Sequence, residues 1–198
     1  MKRILVLLAH PALEKSRVQI RLVQAARSVD GVYVHDLYEH YPDFLIDVNR
    51  EQALLQDYDL IVFQHPLYWY SSPSLLKEWQ DLVLGYGFAY GSEGRSLRGK
   101  LFASVISTGG SRQTYCAEGS NHFSMTDLLR PFEQMAGLCG MHYLPPFMVY
   151  GTYNLSEAAI VHYADEYRRL LEFLTTGKVE ITKLQTLTHL NDWQSQQG

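Results

Sequence analysis

Cysteine is scarce: the 198 residues contain two, Cys116 and Cys139. Two thiols build neither a disulfide framework nor a four-cysteine zinc site, and reduced thiols of a cytosolic protein are the simplest reading. A basic excess is missing as well. Seventeen Lys and Arg stand against 21 Asp and Glu, a net charge of −4, whereas nucleic-acid binders usually carry a basic balance. No Gly-x-Gly-x-x-Gly follows the first apolar run, and no Gly-Lys-Ser or Gly-Lys-Thr loop occurs. That argues against a dinucleotide-binding Rossmann unit and against a P-loop NTPase. The eight histidines make no His-x-x-x-His and no Cys-x-x-Cys accompanies them, so no metal site is expected. Long clean apolar runs are also lacking. Residues 4–9 follow Lys2 and Arg3, but six residues fall short of a signal-peptide core, and His10-Pro11 ends the run without a small-residue cleavage site. Residues 134–156 hold no Asp, Glu, Lys or Arg, yet they contain Gly137, Gly140, Gly151, Pro145, Pro146, His142 and Asn154. A membrane helix rarely carries that load, and a helix end, a turn and a buried strand are expected there.

What is present is an ordinary globular composition, 46% hydrophobic and 19% charged, sufficient for one domain with its own core. Residues 3–9 form a continuous apolar run, which suits a strand covered on both faces. Ser16 and Gln19 have capping-box spacing, and residues 17–28 carry one apolar side, stopped by Asp30-Gly31. Strands are expected at 32–37, 60–64, 101–108 and 147–150, and helices at 51–57, 73–84, 125–138 and 156–175. Pro131 is a potential break inside the third of these helices. Alternating strands and helices imply a parallel sheet with helices on both faces. Residues 178–198 are polar, with Leu184, Leu187, Leu190 and Trp193 three apart. They read equally as an amphipathic helix, a docking arm or a disordered end.

Ligands of such sheets bind outside the carboxyl ends of the strands. Four loops fall there: residues 10–19, residues 65–71, residues 107–122, and the segment after Tyr150. The first ends at a helix N-terminus, where free N–H groups favour an anion; Ser16 alternatively only caps that helix, and Arg17 adds a charge. The second sets Tyr68, Trp69 and Tyr70 after a buried strand, either as a wall for a flat heteroaromatic ring or as core or dimer packing. In the third, Gly109 and Gly110 allow close backbone approach or make a plain turn. Jointly the loops describe an anionic ligand with a flat ring, and flavin mononucleotide fits that description.

The run His65-Pro-Leu-Tyr-Trp-Tyr-Ser-Ser-Pro-Ser-Leu-Leu-Lys-Glu-Trp79, then Gly87-Phe-Ala-Tyr-Gly91, then Ser107-Thr-Gly-Gly110, resembles the flavodoxin-fold NAD(P)H:quinone oxidoreductases of the DT-diaphorase type. His35-Asp-Leu-Tyr-Glu-His-Tyr-Pro-Asp-Phe-Leu-Ile-Asp47 and Leu129-Arg-Pro-Phe-Glu133 resemble the ancillary subunits of bacterial glutathione-gated potassium efflux antiporters. The likeness spans residues 3–175. It implies a flavodoxin-like α/β fold, a five-stranded parallel sheet in the order 2-1-3-4-5 with helices on both faces, over a domain of residues 1–177. The tail 178–198 has no counterpart.

The resemblance also implies roles. His10, Ser16, Arg17, Val18 and Gln19 match the segment holding the flavin phosphate and ribityl chain. Pro66, Leu67, Tyr68, Trp69 and Tyr70 match the isoalloxazine wall, and Ser107, Thr108, Gly109 and Gly110 the loop bonding the pyrimidine edge. Tyr115 falls where the family carries an active-site tyrosine that also touches the flavin. His122 lies one residue beyond the family's active-site histidine, and both are expected to relay a proton. The implied cofactor is FMN, with FAD as the other candidate, and NAD(P)H is the reductant in a two-electron, ping-pong cycle that ends on a quinone. A homodimer and a potassium–proton antiporter are the implied partners, at the cytoplasmic face of the inner membrane. A non-catalytic regulatory subunit on the same scaffold and a flavodoxin-type electron carrier are the competing readings. Gly109→Val is expected to crowd the pyrimidine edge. His65 is expected to shape its loop, and Cys116 is either a redox sensor or an ordinary thiol.

Overall fold

The computed structural model describes residues 1–177 and 180–196. The chain begins with β1 (Ile4–Leu8), whose residues are buried on both faces. A 3₁₀ turn (Leu13–Lys15) leads to α1 (Arg17–Arg27), and then come β2 (Val32–Asp36) and the single-turn α2 (Leu37–His40). Asp36 starts α2 by accepting from the N–H groups of Tyr38 and Glu39 at 3.1 and 3.3 Å. Next are α3 (Val48–Gln56), β3 (Leu60–Pro66), α4 (Ser74–Val83) and β4 (Leu101–Ser107). After a second 3₁₀ turn (Arg112–Thr114) follow α5 (Met125–Leu128), α6 (Arg130–Leu138), β5 (His142–Tyr143) and β6 (Phe147–Val149). The chain closes with α7 (Glu157–Thr175), α8 (Ile181–Gln185) and a last 3₁₀ segment (Leu190–Gln196).

Every strand pairing is parallel, and the strand order is β2-β1-β3-β4-β5. The sixth strand, β6, also pairs with β4, further along the same edge. The strand expected at 147–150 is β6, opposite residues 105–107, and β5 is an additional short piece opposite Leu101 and Phe102. Pro145 and Pro146 lie between them and supply no N–H to a ladder. Alternate side chains of the strands fill two cores. Val6, Leu8, Val62 and Val105 pack with α1 and α7. Leu7, Phe63, Phe102 and Ile106 pack with α4 and α6, around the fully buried Trp79.

Two expectations are corrected, and one left open is narrowed. The helix expected over 125–138 is two helices, broken at Leu129, because Pro131 sits in the first turn of α6. There its missing N–H costs nothing, whereas inside one long helix it would remove a hydrogen bond and clash with a carbonyl. The helix expected at 51–57 begins three residues earlier, since Asp47 caps it through the Arg50 N–H at 3.0 Å. The tail packs on the body: Leu184, Leu190 and Trp193 are buried, and Trp193 stacks on Phe173 with ring centres 4.6 Å apart. The Leu190 N–H donates to Pro146 O at 2.9 Å. Asn191 accepts from the Met148 N–H and donates to its carbonyl, at 2.8 and 3.0 Å. Lys178, Val179 and the last two residues of that tail lie outside the described residues. Among the described residues no helix is long and apolar enough to cross a membrane.

Candidate functional site

The carboxyl ends of β1, β3 and β4 open into one cavity of about 460 Å³. Its lining joins residues from three of the loops singled out above, including Ser16, Leu67, Tyr68 and Ser107, with Thr152 and Tyr153 from the fourth.

The first wall is the turn into α1. Ser16 caps the helix by accepting the Gln19 N–H at 3.1 Å. The Arg17 and Val18 N–H groups ahead of it have no acceptor within the helix. Both residues line the cavity, so two backbone donors and the positive end of an eleven-residue helix face it. The Arg17 guanidinium turns elsewhere, toward Leu155 O at 3.2 Å and Glu157 at 3.7 Å. Lys15 lines the cavity as well. Nδ1 of His10 accepts the Ala12 N–H at 3.1 Å, which leaves the ring proton on Nε2. Burial pushes the His10 pKa below its ordinary value, against the opposing pull of Glu14 and Asp36. His10 is therefore a neutral donor at the cavity wall.

The second wall is the end of β3. The Leu67 N–H donates to Ser107 O at 2.8 Å, which fastens this loop to the next. Tyr68 and Ser71 then exchange both backbone hydrogen bonds, at 3.2 and 2.9 Å, across Trp69 and Tyr70. Both central residues have positive φ, 50° and 62°. Such a turn ordinarily takes Asn-Gly, and bulky residues there cost roughly 1–3 kcal/mol each. The result is a Trp69 ring 93% exposed, standing away from the cavity. Beneath the turn His65 is fully buried, donates from Nδ1 to Pro66 O at 2.8 Å, and has its pKa pushed down to about 4 by burial.

The third and fourth walls are joined. The Thr152 N–H donates to Thr108 O at 3.1 Å, and the Gly151 N–H to Gly110 O at 2.9 Å. Thr108 Oγ1 and Tyr115 Oη are 2.6 Å apart. A Cβ on Gly109 would meet the Tyr153 ring at 2.2 Å, and one on Gly110 the Tyr115 ring at 2.9 Å. Glycine at these places lets two tyrosine rings close over the backbone. Tyr150 lies behind Tyr115, hydrogen-bonded at 3.0 Å to His189 from the tail. Burial pushes the Tyr150 pKa up to about 12.

Of the residues singled out in the sequence, His10, Ser16, Arg17, Val18, Pro66, Leu67, Tyr68, Ser107, Thr108 and Gly109 line the cavity. Gly110 and Tyr115 stand directly behind that lining. Trp69 and Tyr70 stand outside it, and the Gln19 side chain is buried beneath it. His122 is exposed at φ 58° on a neighbouring turn. Asn121, one residue earlier, accepts from Tyr70 Oη at 3.2 Å. Lys15, Thr152 and Tyr153 were missed. The rule that ligands sit at strand ends marks their loops, but no motif marks the residues.

The sequence matches the family described as flavodoxin-like fold over residues 2–171. The glutathione-regulated potassium-efflux system ancillary protein KefG of Erwinia tasmaniensis is 48% identical over 170 residues, 86% of this chain and 92% of that protein. The crystal structure of general stress protein 14 of Treponema denticola, in complex with FMN, is 39% identical with a TM-score of 0.83; the match covers 87% of this chain and 99% of that one. An NADPH-quinone reductase structure from P. pentosaceus is 34% identical with a TM-score of 0.77, covering 84% and 96%. The sheet order, the strand-end cavity and these matches together assign the chain to the flavodoxin-like fold family.

Proposed function

We propose that this protein is an FMN-dependent NAD(P)H:quinone oxidoreductase. The observation that carries this reading is one cavity lined both by the N-terminal turn of α1, whose first N–H groups have no acceptor within the helix, and by an apolar strand end with a glycine loop. The donor set fits a flavin mononucleotide. Arg17 and Val18 N–H groups, with Lys15, would hold the phosphate. Pro66, Leu67 and Tyr68 would pack against the ring, and the loop 107–110 would face its pyrimidine edge. FMN, when bound, supplies two-electron redox chemistry between a nicotinamide and a quinone. The protein binds, orients and stabilises charge. Backbone N–H groups of the 107–110 loop would be donors to the negative charge that develops on that edge. Tyr115 stands behind Thr108, which lines the cavity, and its Oη would exchange a proton with the site through the Thr108 hydroxyl. His122 is left out of the proton path because it stands exposed, off the cavity wall.

The second reading is regulatory: an ancillary subunit docked on the cytoplasmic face of a glutathione-gated potassium–proton antiporter. The KefG likeness favours it, and it is compatible with retained flavin chemistry. The test is a visible spectrum of purified protein, followed by anaerobic NADPH and then a quinone. A flavin spectrum that bleaches and returns supports the reductase. A protein that is colourless and refuses added FMN overturns it and leaves the regulatory reading.

A further inference from the structure

The layer between the sheet and α1/α7 is largely apolar, and one connected line of polar side chains crosses it. Tyr167 on α7, Gln64 on β3 and Gln19 on α1 are each fully buried, and Ser107 at the end of β4 is nearly so. Tyr167 Oη donates to Gln64 Oε1 at 3.2 Å, and Gln64 Nε2 donates to Gln19 Oε1 at 2.9 Å. Gln19 Nε2 then donates to Ser107 Oγ at 2.8 Å. The line ends at the cavity, which Ser107 lines.

Donors and acceptors along this line fix its direction. Each amide offers one acceptor and one donor end, so the line is able to run either way. Run backward, Ser107 would donate inward, and both amides would be flipped. The Tyr167 hydroxyl would then accept from Gln64 and have no acceptor for its own hydrogen. Among the described residues Gln64 is its hydrogen-bond partner, and an orphaned O–H in a dry core is costly. Run forward, each of these buried polar groups has a partner. Each amide keeps a second N–H hydrogen, but the hydroxyl hydrogen left over at the end of the line is that of Ser107, which lines the cavity.

We infer that Gln19, Gln64 and Tyr167 are positioning residues that hold the Ser107 hydroxyl as a hydrogen-bond donor to the bound cofactor. This rests on the reading of the cavity as an FMN site. The ligand atom opposite Ser107 is accordingly an acceptor, a carbonyl oxygen or an unprotonated nitrogen of the ring system.

Gln19→Glu tests the direction. An ionised carboxylate at 19 only accepts, so Ser107 must turn inward to donate to it. A protonated carboxyl can still donate to Ser107. FMN affinity of Gln19→Glu, measured by fluorescence titration across pH 5–9, is therefore expected to fall about tenfold as the new carboxyl ionises. Wild type, which has no carboxyl at position 19, is expected to lack this step. Ser107→Ala is expected to bind FMN about fivefold to tenfold more weakly at every pH. The double variant Gln19→Glu, Ser107→Ala should lose the pH step, since no hydroxyl remains to turn. Tyr167→Phe, which removes only one oxygen, should weaken FMN binding in wild type and not in Ser107→Ala. A pH step that persists in the double variant overturns the inference, as does Gln19→Glu binding FMN like wild type, because both leave Ser107 out of the effect. If Gln19→Glu does not fold, the Tyr167→Phe comparison decides alone, additivity with Ser107→Ala being the adverse result. Wild type that binds no FMN instead overturns the reading of the site, and this inference with it.

Discussion

At the residue scale the decisive features are buried polar groups whose partners are counted. Glu51 is the clearest. It is fully buried on α3, and its oxygens accept from His35 Nε2, Tyr41 Oη and Trp79 Nε1 at 2.8, 2.6 and 2.8 Å. Burial opposes its ionisation, yet these three donors hold its pKa below the ordinary value. Glu51→Leu strands three donors in the core and is expected to cost about 3–5 kcal/mol, read from urea unfolding. A loss below 1 kcal/mol would show that the cluster relaxes freely. His65 makes a pH prediction. Its folded pKa of about 4 lies below the ordinary 6.5 because burial disfavours the charged ring. Between those values the unfolded chain binds the proton and the folded chain does not. Stability is thus whole above pH 6.5 and falls as pH drops toward 4, by about 3 kcal/mol from this group. His65→Asn should flatten that slope, and a slope unchanged in the variant would acquit His65. Gly109 requires a revised mechanism. A side chain there strikes the Tyr153 ring first, because that ring lies over the glycine. Gly109→Val is expected to lower FMN affinity at least tenfold, and adding Tyr153→Ala, which removes the obstructing ring, should restore part of it. Unchanged FMN occupancy in Gly109→Val would refute the placement of this loop beside the ligand.

At the element scale the strands were legible because a parallel sheet buries both faces, so β1, β3 and β4 read as apolar runs. Helix starts were legible where a side chain caps them, as Ser16 and Ser156 do. The helix break at Leu129 was visible only as a proline. The additional short strand β5 was hidden, because residues 134–156 show apolarity but not which of its pieces reach β4. The tail was ambiguous for a different reason. Spacing by three gives one apolar side, but not what that side meets. In the fold it meets α7 and the exposed edge of β6, and Asn191 pairs with both backbone groups of Met148 as another strand would. Open edges invite pairing with other chains, so the tail is an edge cover. The Treponema protein is matched over 99% of its length by only 87% of this chain, so part of this chain has no counterpart there. Asn191→Ala is expected to lose about 1–2 kcal/mol through two hydrogen bonds, and to raise light scattering on warming. Unaltered stability and scattering would mean that the edge is guarded by Leu190 and Trp193 alone.

At the scale of the whole molecule, the candidate site was legible where a motif compresses several contacts into consecutive residues, as at 65–71 and 107–110. It was illegible where single residues arrive from unmarked loops, as Lys15, Thr152 and Tyr153 do. Sequence also could not tell which aromatics face inward. Trp69, Tyr70, Tyr86 and Phe123 are 93%, 51%, 70% and 60% exposed. Trp69 and Tyr70 are moreover held outward by a strained turn whose conformation a core would not select. Tyr70 is tied to Asn121, which puts the turn and the 119–124 segment side by side. Exposed aromatics of this kind are what interface cores are made from, and Trp69 and Tyr70 follow directly on Tyr68, which lines the cavity. For the homodimer that the family resemblance implies, we propose this face as the interface, with a specific consequence: association and catalysis are expected to fail together. Trp69→Ser should shift the protein toward monomer in sedimentation velocity and lower quinone reductase kcat/KM by tenfold or more. FMN affinity should change less, because Trp69 does not line the cavity. A monomeric Trp69→Ser variant with full activity would separate the two and remove the partner chain from the site. A variant that stays dimeric would move the interface away from this turn, and the strain at Trp69 and Tyr70 would then need another occupant to explain it.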